Sequence, residues 1–146
     1  MSVQGEAVIH ILLVEDSPVD VLLTREALEG SQLRLQLHVA EHGVEAMEFL
    51  YRQGPHAMAP RPNLILLDLN LPRKDGREVL AEIKADPVLR EIPVVVLTTS
   101  QAEEDIHRAY GLCANCYIAK PVDFDRFVTV IRGIQQFWFT IALLPH

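Results

Sequence analysis

The stretch that decides the fold is LLVEDSPVD, residues 12–20, in which an apolar run meets two acids and then the start of a helix. The run ends directly at Glu15 and Asp16. Ser17 and Pro18 then supply a helix N-cap and a favoured first-turn proline. Because adjacent carboxylates repel each other, their place at a strand end predicts that something positive binds there.

The composition limits what the chain can be. Its 146 residues are 49% apolar, which is enough to bury about two-thirds of the unfolded surface in one domain. The formal charge of −7 argues against the basic face that nucleic-acid binding needs. The most apolar terminal run, residues 137–144, is far shorter than the ~20 residues of a spanning helix. We therefore expect one soluble, cytoplasmic domain over residues 1–146, with no nucleic-acid or membrane partner.

Strand and helix patterns alternate along the chain. The predicted strands are Val8–Val14, Leu33–Ala40, Asn63–Leu69, Ile92–Thr98 and Cys116–Ala119. Several are nearly continuous in apolar residues, as burial on both faces of a parallel sheet requires, and helical spacing fills the intervals. The alternating second strand belongs near an edge. The sequence thus predicts a doubly wound, five-stranded parallel α/β fold, with its functional crevice beyond the carboxyl ends of the strands.

The connecting segments are predicted in the same way. Apolar residues at helical spacing predict one helix after Ser17, a second that includes Met47 and a third that includes Ile83. Two further helices are predicted to begin after Ser100 and near Asp123. The proline-rich segment 52–63 is predicted to be a loop.

Chemistry-bearing residues follow the predicted strands. They are Glu15 and Asp16 after the first, Asp68 and Asn70 at the third, Thr98 at the fourth, and Lys120 after the fifth. Each has an ordinary explanation alone, since acids often begin helices and lysine is usually solvated. Their joint position predicts one crevice in which carboxylates, a hydroxyl and an ammonium group converge.

A clustered set of carboxylates calls for a cation. Two unit charges about 4 Å apart repel by on the order of 4 kcal/mol at an effective dielectric near 20. Mg²⁺ suits best, because it accepts one or two carboxylates, keeps waters and leaves positions for phosphate oxygens. These are also the requirements of phosphoryl transfer. Asp68 is then the natural nucleophile, with Lys120 and the Thr98 hydroxyl contacting phosphoryl oxygens.

These residues carry a resemblance to a known family. Glu15-Asp16, the stretch LILLDLNLPRKDG at 64–76, Thr98, Tyr117 and Lys120-Pro121 look like the CheY-like receiver domain of bacterial response regulators, over about residues 8–135. The resemblance implies the strand order 2-1-3-4-5. It also implies a phospho-accepting signalling domain, not an enzyme with substrate turnover, in which a phosphohistidine on a sensor histidine kinase phosphorylates Asp68.

The resemblance also assigns roles within the site. It implies Mg²⁺ held by Asp16, Asp68 and the backbone carbonyl of Asn70, with Glu15 acting mainly through water. Thr98 would move toward the phosphoryl group and let Tyr117 turn inward as a switch. Two positions depart from the family pattern, because Thr99 stands where a smaller residue is usual and Glu15 where some members have Asp.

Residues 136–146 extend past the end of a minimal receiver, as an extended C-terminal helix. Phe137, Trp138 and Phe139 are consecutive, and at about 100° per residue they sweep about 200°, wider than one core-facing stripe. This predicts a homodimer interface. The extension and the loop before Asn63 resemble stand-alone regulators that partner cyanobacterial phytochromes, so a phytochrome is the kinase expected, with a downstream protein as the target.

Two alternatives remain open from the residues alone. A flavodoxin-like redox protein would need a Ser/Thr/Gly-rich phosphate loop after its first strand, whereas Glu15 and Asp16 would repel an anion there. A phosphatase of the haloacid-dehalogenase type would carry its nucleophile in a DxD motif on the first strand, whereas DLN, residues 68–70, belongs to the third. A colourless protein without turnover on small phosphate esters would exclude both.

Overall fold

The apolar strands form one parallel sheet at the centre of the molecule. The computed structural model describes residues 8–29, 34–69 and 71–98, and the backbone of 116–119. The strands are β1 (Ile9–Val14), β2 (Leu35–Ala40), β3 (Leu64–Asp68), β4 (Val94–Thr98) and β5 (Cys116–Ala119). Their order is β2-β1-β3-β4-β5, and every neighbouring pair is parallel. The predicted fold class, strand order and edge position of the second strand are confirmed.

The α-helices of the described residues are α1 (Pro18–Glu29), α2 (Gly43–Tyr51) and α3 (Gly76–Ala85), and there are short 3₁₀ helices at Gly54–His56 and Leu89–Glu91. The predicted cap of α1 is present, because the Ser17 hydroxyl oxygen accepts the amide of Asp20 at 3.3 Å. The predictions of helices after Ser100 and near Asp123, and of the extended C-terminal helix, lie outside the described residues. None of the helices in the described segments has the length and apolarity needed to cross a membrane.

Segment 52–63, predicted to be a loop, is largely without regular secondary structure. It contains a short 3₁₀ helix, Gly54–His56, with Pro55 in its first turn. Proline fixes the backbone torsion φ close to the helical value and gives up only an amide that a first turn leaves unpaired. Pro55 therefore favours the short helical turn.

Both faces of the sheet are buried, which explains the continuous apolar strands. One face packs on α2 and α3, through core residues that include Leu12, Val14, Leu67, Phe49 and Leu80. The other packs beside α1, through residues that include Ile11, Leu13, Leu66 and Leu28. Every residue of β3 is buried. The central strand that ends at Asp68 is therefore held rigidly on both sides.

Candidate functional site

The strand register brings the predicted site residues to one edge of the sheet. Val14 is paired with Leu67, so the residues that follow them, Glu15 and Asp68, leave adjacent strands side by side. The backbone amide of Glu15 also donates to the carbonyl of Ala40 at 2.9 Å, which ties the start of the site to the end of β2. The carboxyl ends of neighbouring strands thus converge, as the fold predicts.

Three carboxylates meet at this edge. One carboxylate oxygen from each of Glu15, Asp16 and Asp68 lies within 4.8 Å of the others. Glu15 is 1% exposed and Asp68 is 4% exposed, whereas Asp16 is exposed. Hard oxygen donors with one side open to solvent suit a divalent cation that keeps part of its water shell. The donor set therefore fits a divalent cation such as the predicted Mg²⁺.

Glu15 and Asp16 have different environments, although they are adjacent in sequence. The Glu15 carboxylate turns back and accepts the amide of Ser17 at 3.2 Å, just before α1 begins. A helix N-terminus favours negative charge, because its free amides carry partial positive charge. Glu15 is thus a buried acid that is partly balanced by the backbone, whereas the exposed carboxylate of Asp16 is accessible to a hydrated ion.

The loop that follows Asp68 returns to the same point through Gly76. The amide of Gly76 donates to the carbonyl of Leu69 at 3.1 Å. A Cβ at position 76 would lie 2.2 Å from the Asp68 carbonyl oxygen and 2.6 Å from the Leu69 Cα. Only glycine permits this approach. Gly76 lies within the receiver motif, but its role here was not predicted. The signal that could have revealed the role is a glycine at the start of a helix, where it cannot serve as a helix stop.

Asp75 begins α3 next to this glycine. Its carboxylate accepts the amide of Arg77 at 2.7 Å, as an N-cap. Arg77 also lies against the same carboxylate, with Nη1 3.3 Å from Oδ2. Asp75, the acid of the sequence KDG at 74–76, therefore caps α3. The acidic cluster consists of the other three acids, Glu15, Asp16 and Asp68.

The remaining predicted site residues are described only partly. Thr98 ends β4 opposite Ala119 of β5, so the strand that carries Tyr117 lies beside the one that carries Thr98. Asn70, Lys120 and the predicted interface residues Phe137, Trp138 and Phe139 lie outside the described residues. The roles given to all of these residues stay predictions.

With this fold and site in view, comparison with known proteins identifies the class of protein. Residues 11–132 match the family model of the response regulator receiver domain. The chain belongs to this family, whose members are signalling domains of two-component systems. The family assignment decides against the two alternatives that the sequence left open, a flavin-binding redox protein and a phosphatase of the haloacid-dehalogenase type.

Particular members of the family are similar over almost the whole chain. The response regulator Rcp1 of Synechocystis is 51% identical over 135 residues, which are 92% of this chain and 92% of Rcp1. The crystal structure of the phosphorylated cyanobacterial phytochrome response regulator RcpA superposes with a TM-score of 0.89 at 50% identity, covering 96% of this chain and 100% of RcpA.

A third comparison bears on the metal. The crystal structure of the Mn²⁺-bound form of Rcp1 superposes with a TM-score of 0.87 at 50% identity, covering 94% of this chain and 99% of that one. Mn²⁺, like Mg²⁺, is bound by carboxylate and water oxygens. A divalent cation therefore agrees both with this relative and with the acidic cluster of the present chain.

Proposed function

We propose that this protein is the phospho-acceptor of a two-component system, with Asp68 as the residue phosphorylated. A carboxylate oxygen of Asp68 would attack the phosphorus of a kinase phosphohistidine, forming an acyl phosphate as the P–N bond breaks and the imidazole leaves with a proton from solvent. The observation that carries the proposal is the meeting of Glu15, Asp16 and Asp68 within 4.8 Å at the end of a buried strand.

Mg²⁺ is the cofactor that we propose for the acidic cluster. Asp16, Asp68 and the carbonyl of Asn70 would hold it, with Glu15 acting through water. When bound, the ion supplies charge neutralisation for the phosphoryl oxygens. Lys120 would pair with one of those oxygens and the Thr98 hydroxyl with another, after which Tyr117 would turn inward as the switch. The domain would signal through this change and would show no substrate turnover.

The proposed partner is a sensor histidine kinase of the phytochrome type. The support is similarity to Rcp1 and to the phytochrome response regulator RcpA. The surface next to the site is partly apolar, since Val19 is 65% exposed and Leu22 is 55% exposed on the first turns of α1. Exposed apolar side chains next to a reactive group suit a protein partner that must reach Asp68.

Dimerisation through the C-terminal extension is a further part of the proposal. The argument is that Phe137, Trp138 and Phe139 cannot all face one core stripe of a helix. The receiver proper would span about residues 8–135, and residues 136–146 would form the interface. Truncation after Gln136 should then give monomers in light-scattering measurements, whereas a dimer that survives the cut would place the interface elsewhere.

Substitution of the acceptor tests the central step. Asp68→Asn keeps the size of the side chain but removes the nucleophilic carboxylate, so a small-molecule phosphodonor with Mg²⁺ should label the wild type and not the variant. Asp20→Asn, the same change in the first turn of α1, is the control and should be labelled normally. Acid-stable label, or equal labelling of Asp68→Asn, would reject the assignment.

A further inference from the structure

The loop between Asp68 and Gly76 contains a strained turn. The amide of Lys74 donates to the carbonyl of Pro72 at 2.7 Å, and Arg73 between them has a φ of 67°. This three-residue turn with positive φ at a non-glycine residue is rare, because the Cβ crowds the backbone. Such a conformation persists only where the surroundings enforce it.

The N-terminus of α2 encloses this turn from one side. A Cβ at position 43 would lie 2.1 Å from the Lys74 carbonyl oxygen and 2.6 Å from the Lys74 Cβ, so Gly43 lets the backbone of α2 rest directly on the loop. The neighbouring His42 imidazole caps the helix, because Nδ1 accepts the amide of Glu45 at 3.0 Å. Its Nε2 lies 3.3 Å from Nη1 of Arg73.

The other end of α2 reaches the same loop through α3. Lys74 Nζ forms an ion pair with the carboxylate of Glu82. The hydroxyl of Tyr51, the last residue of α2, donates to the other oxygen of that carboxylate at 3.2 Å. Lys74 is therefore held by its backbone at the start of α2 and by its ammonium group near the end of α2.

The other end of the loop contacts the end of β3, the strand that carries Asp68. Gly76 lies against the Asp68 carbonyl and donates to Leu69, as described above. A loop that is fixed at Lys74 and closed at Gly76 cannot shift without moving the backbone that follows Asp68. In the sequence Leu69 is followed by Asn70, whose carbonyl is a ligand in the metal site proposed above.

We propose that the N-terminus of α2 positions the phospho-acceptor site, with His42 and Gly43 fixing the strained turn at Arg73 and so the backbone that carries the metal ligands. Neither residue touches the reacting atoms, so both are positioning residues. The inference rests on the function proposed above. It adds that α2, which contributes no residue to the acidic cluster, sets the affinity of that cluster for its cation.

Gly43→Ala tests this directly. The new methyl group must push the Lys74 carbonyl away, and we expect the affinity for Mg²⁺, measured by calorimetric titration without phosphodonor, to fall about tenfold. The matched control is Gly54→Ala, because Gly54 also has a special backbone, with a φ of 56°, but a Cβ there meets nothing within 4 Å. Mg²⁺ affinity equal to that of the wild type in a folded Gly43→Ala protein would overturn the proposal.

A second variant separates positioning from general damage to the fold. Arg73→Gly lets the turn adopt positive φ without strain, so the loop can yield to the methyl group at position 43. The double variant carries both Arg73→Gly and Gly43→Ala. Its Mg²⁺ affinity should be less than about threefold below that of Arg73→Gly alone, so the effects of the two substitutions should be non-additive. Additive losses would show that Gly43 acts elsewhere and would overturn the proposal.

His42 gives a test that remains available if Gly43→Ala does not fold. His42→Asn keeps a side-chain acceptor for the cap but removes the ring from Arg73. We expect a melting temperature close to the wild type, faster hydrogen exchange at the Lys74 amide and about threefold slower labelling by the phosphodonor. Unchanged exchange and labelling would overturn the role of His42.

Mg²⁺ binding and phosphate acceptance by the wild type distinguish a failure of the proposed function from a failure of the positioning role. A wild type that neither binds Mg²⁺ nor accepts phosphate would reject the proposed function itself. A wild type that does both, together with loop variants that behave identically to it, would reject only the positioning role of α2.

Discussion

Two clusters of ionisable groups lie on this sheet, and they avoid electrostatic repulsion in different ways. At the carboxyl ends of β1 and β3, Glu15, Asp16 and Asp68 converge within 4.8 Å. Further back, His10 of β1 and His38 of β2 meet with Nδ1 and Nε2 only 2.9 Å apart. Carboxylates are charged at neutral pH, whereas an imidazole can stay neutral, so that one ring donates and the other accepts. The first cluster is therefore suited to a bound cation, whereas the second can form a hydrogen bond without one.

The surroundings of His38 favour its neutral form. Burial is the main factor that lowers the pKa of His38, and the charge of a protonated His10 lowers it further. The His38 ring lies 5.3 Å from the ring of Phe49, and Phe49 in turn lies 5.5 Å from His56. His56 has an acid beside it, with Nε2 3.4 Å from Oε2 of Glu45. Burial of the His38 ring beside Phe49 therefore disfavours protonation of His38.

The largest effect should come from adding the cation to the acidic cluster. A ligand that binds only the folded state at 100 times its dissociation constant adds about 2.7 kcal/mol to the free energy of unfolding. Mg²⁺ should therefore stabilise the wild type by this amount in urea unfolding, and Asp16→Ala should lose most of the gain. Glu26→Gln on the exposed side of α1 is the control and should keep it. Equal stabilisation of Asp16→Ala would move the metal away from the cluster.

Acidification should act on the histidine pair. Because the pKa of His38 is lowered in the fold, its contribution to stability is fully present above the unfolded value of 6.5. It is lost as the pH falls through 6.5 toward the lower folded pKa, with a slope below about 1.4 kcal/mol per pH unit, the limit for one proton. Urea unfolding between pH 7.5 and 5 should show this loss.

Two variants separate the causes of that pH dependence. His38→Leu should flatten the curve, whereas His10→Gln should flatten it only in part, since burial of His38 remains. A His38→Leu protein with the same pH dependence as the wild type would show that the pair contributes nothing to it.

The smallest effect should appear in the acidic cluster without metal. Asp16→Asn removes one of three neighbouring charges at an exposed position, so we expect it to stabilise the metal-free protein by about 0.5 kcal/mol. In saturating Mg²⁺ the sign should reverse, because the variant binds the ion less well. Chemical unfolding with EDTA and with Mg²⁺ should show this reversal in the difference between the free energies of unfolding of the variant and the wild type. A variant that is less stable than the wild type in both conditions would mean that repulsion at Asp16 is already screened.

The sequence was most informative where the signal is local and repeated. Apolar runs such as that of β3 predicted buried strands, and the acids placed after them predicted the edge at which Glu15, Asp16 and Asp68 meet. Alternation in β2 predicted its place at the sheet edge. These inferences depend only on the periodicity of apolar residues and on the common direction of parallel strands. Both can be read directly from the order of residues in the chain.

The contacts that support the site could not be predicted in the same way. His10 interrupts an apolar run and His38 lies in an alternating strand, but only the offset between β1 and β2 brings their rings together. Gly43 and Gly76 are ordinary glycines in the sequence, and the close approaches that require them depend on distant backbone. Glu15 and Asp16 are chemically alike and adjacent, yet one is buried and the other exposed.

By itself, the sequence determined the α/β class, the order of its elements and the edge at which the acids gather, because hydrophobic periodicity and residue type act over a few neighbouring positions. Only the tertiary structure decided which acid faces solvent, which histidines form a hydrogen bond with each other, and how α2 contacts the loop after Asp68. Those outcomes depend on ångström-scale distances between segments far apart in the chain, which follow from the packing of the whole core.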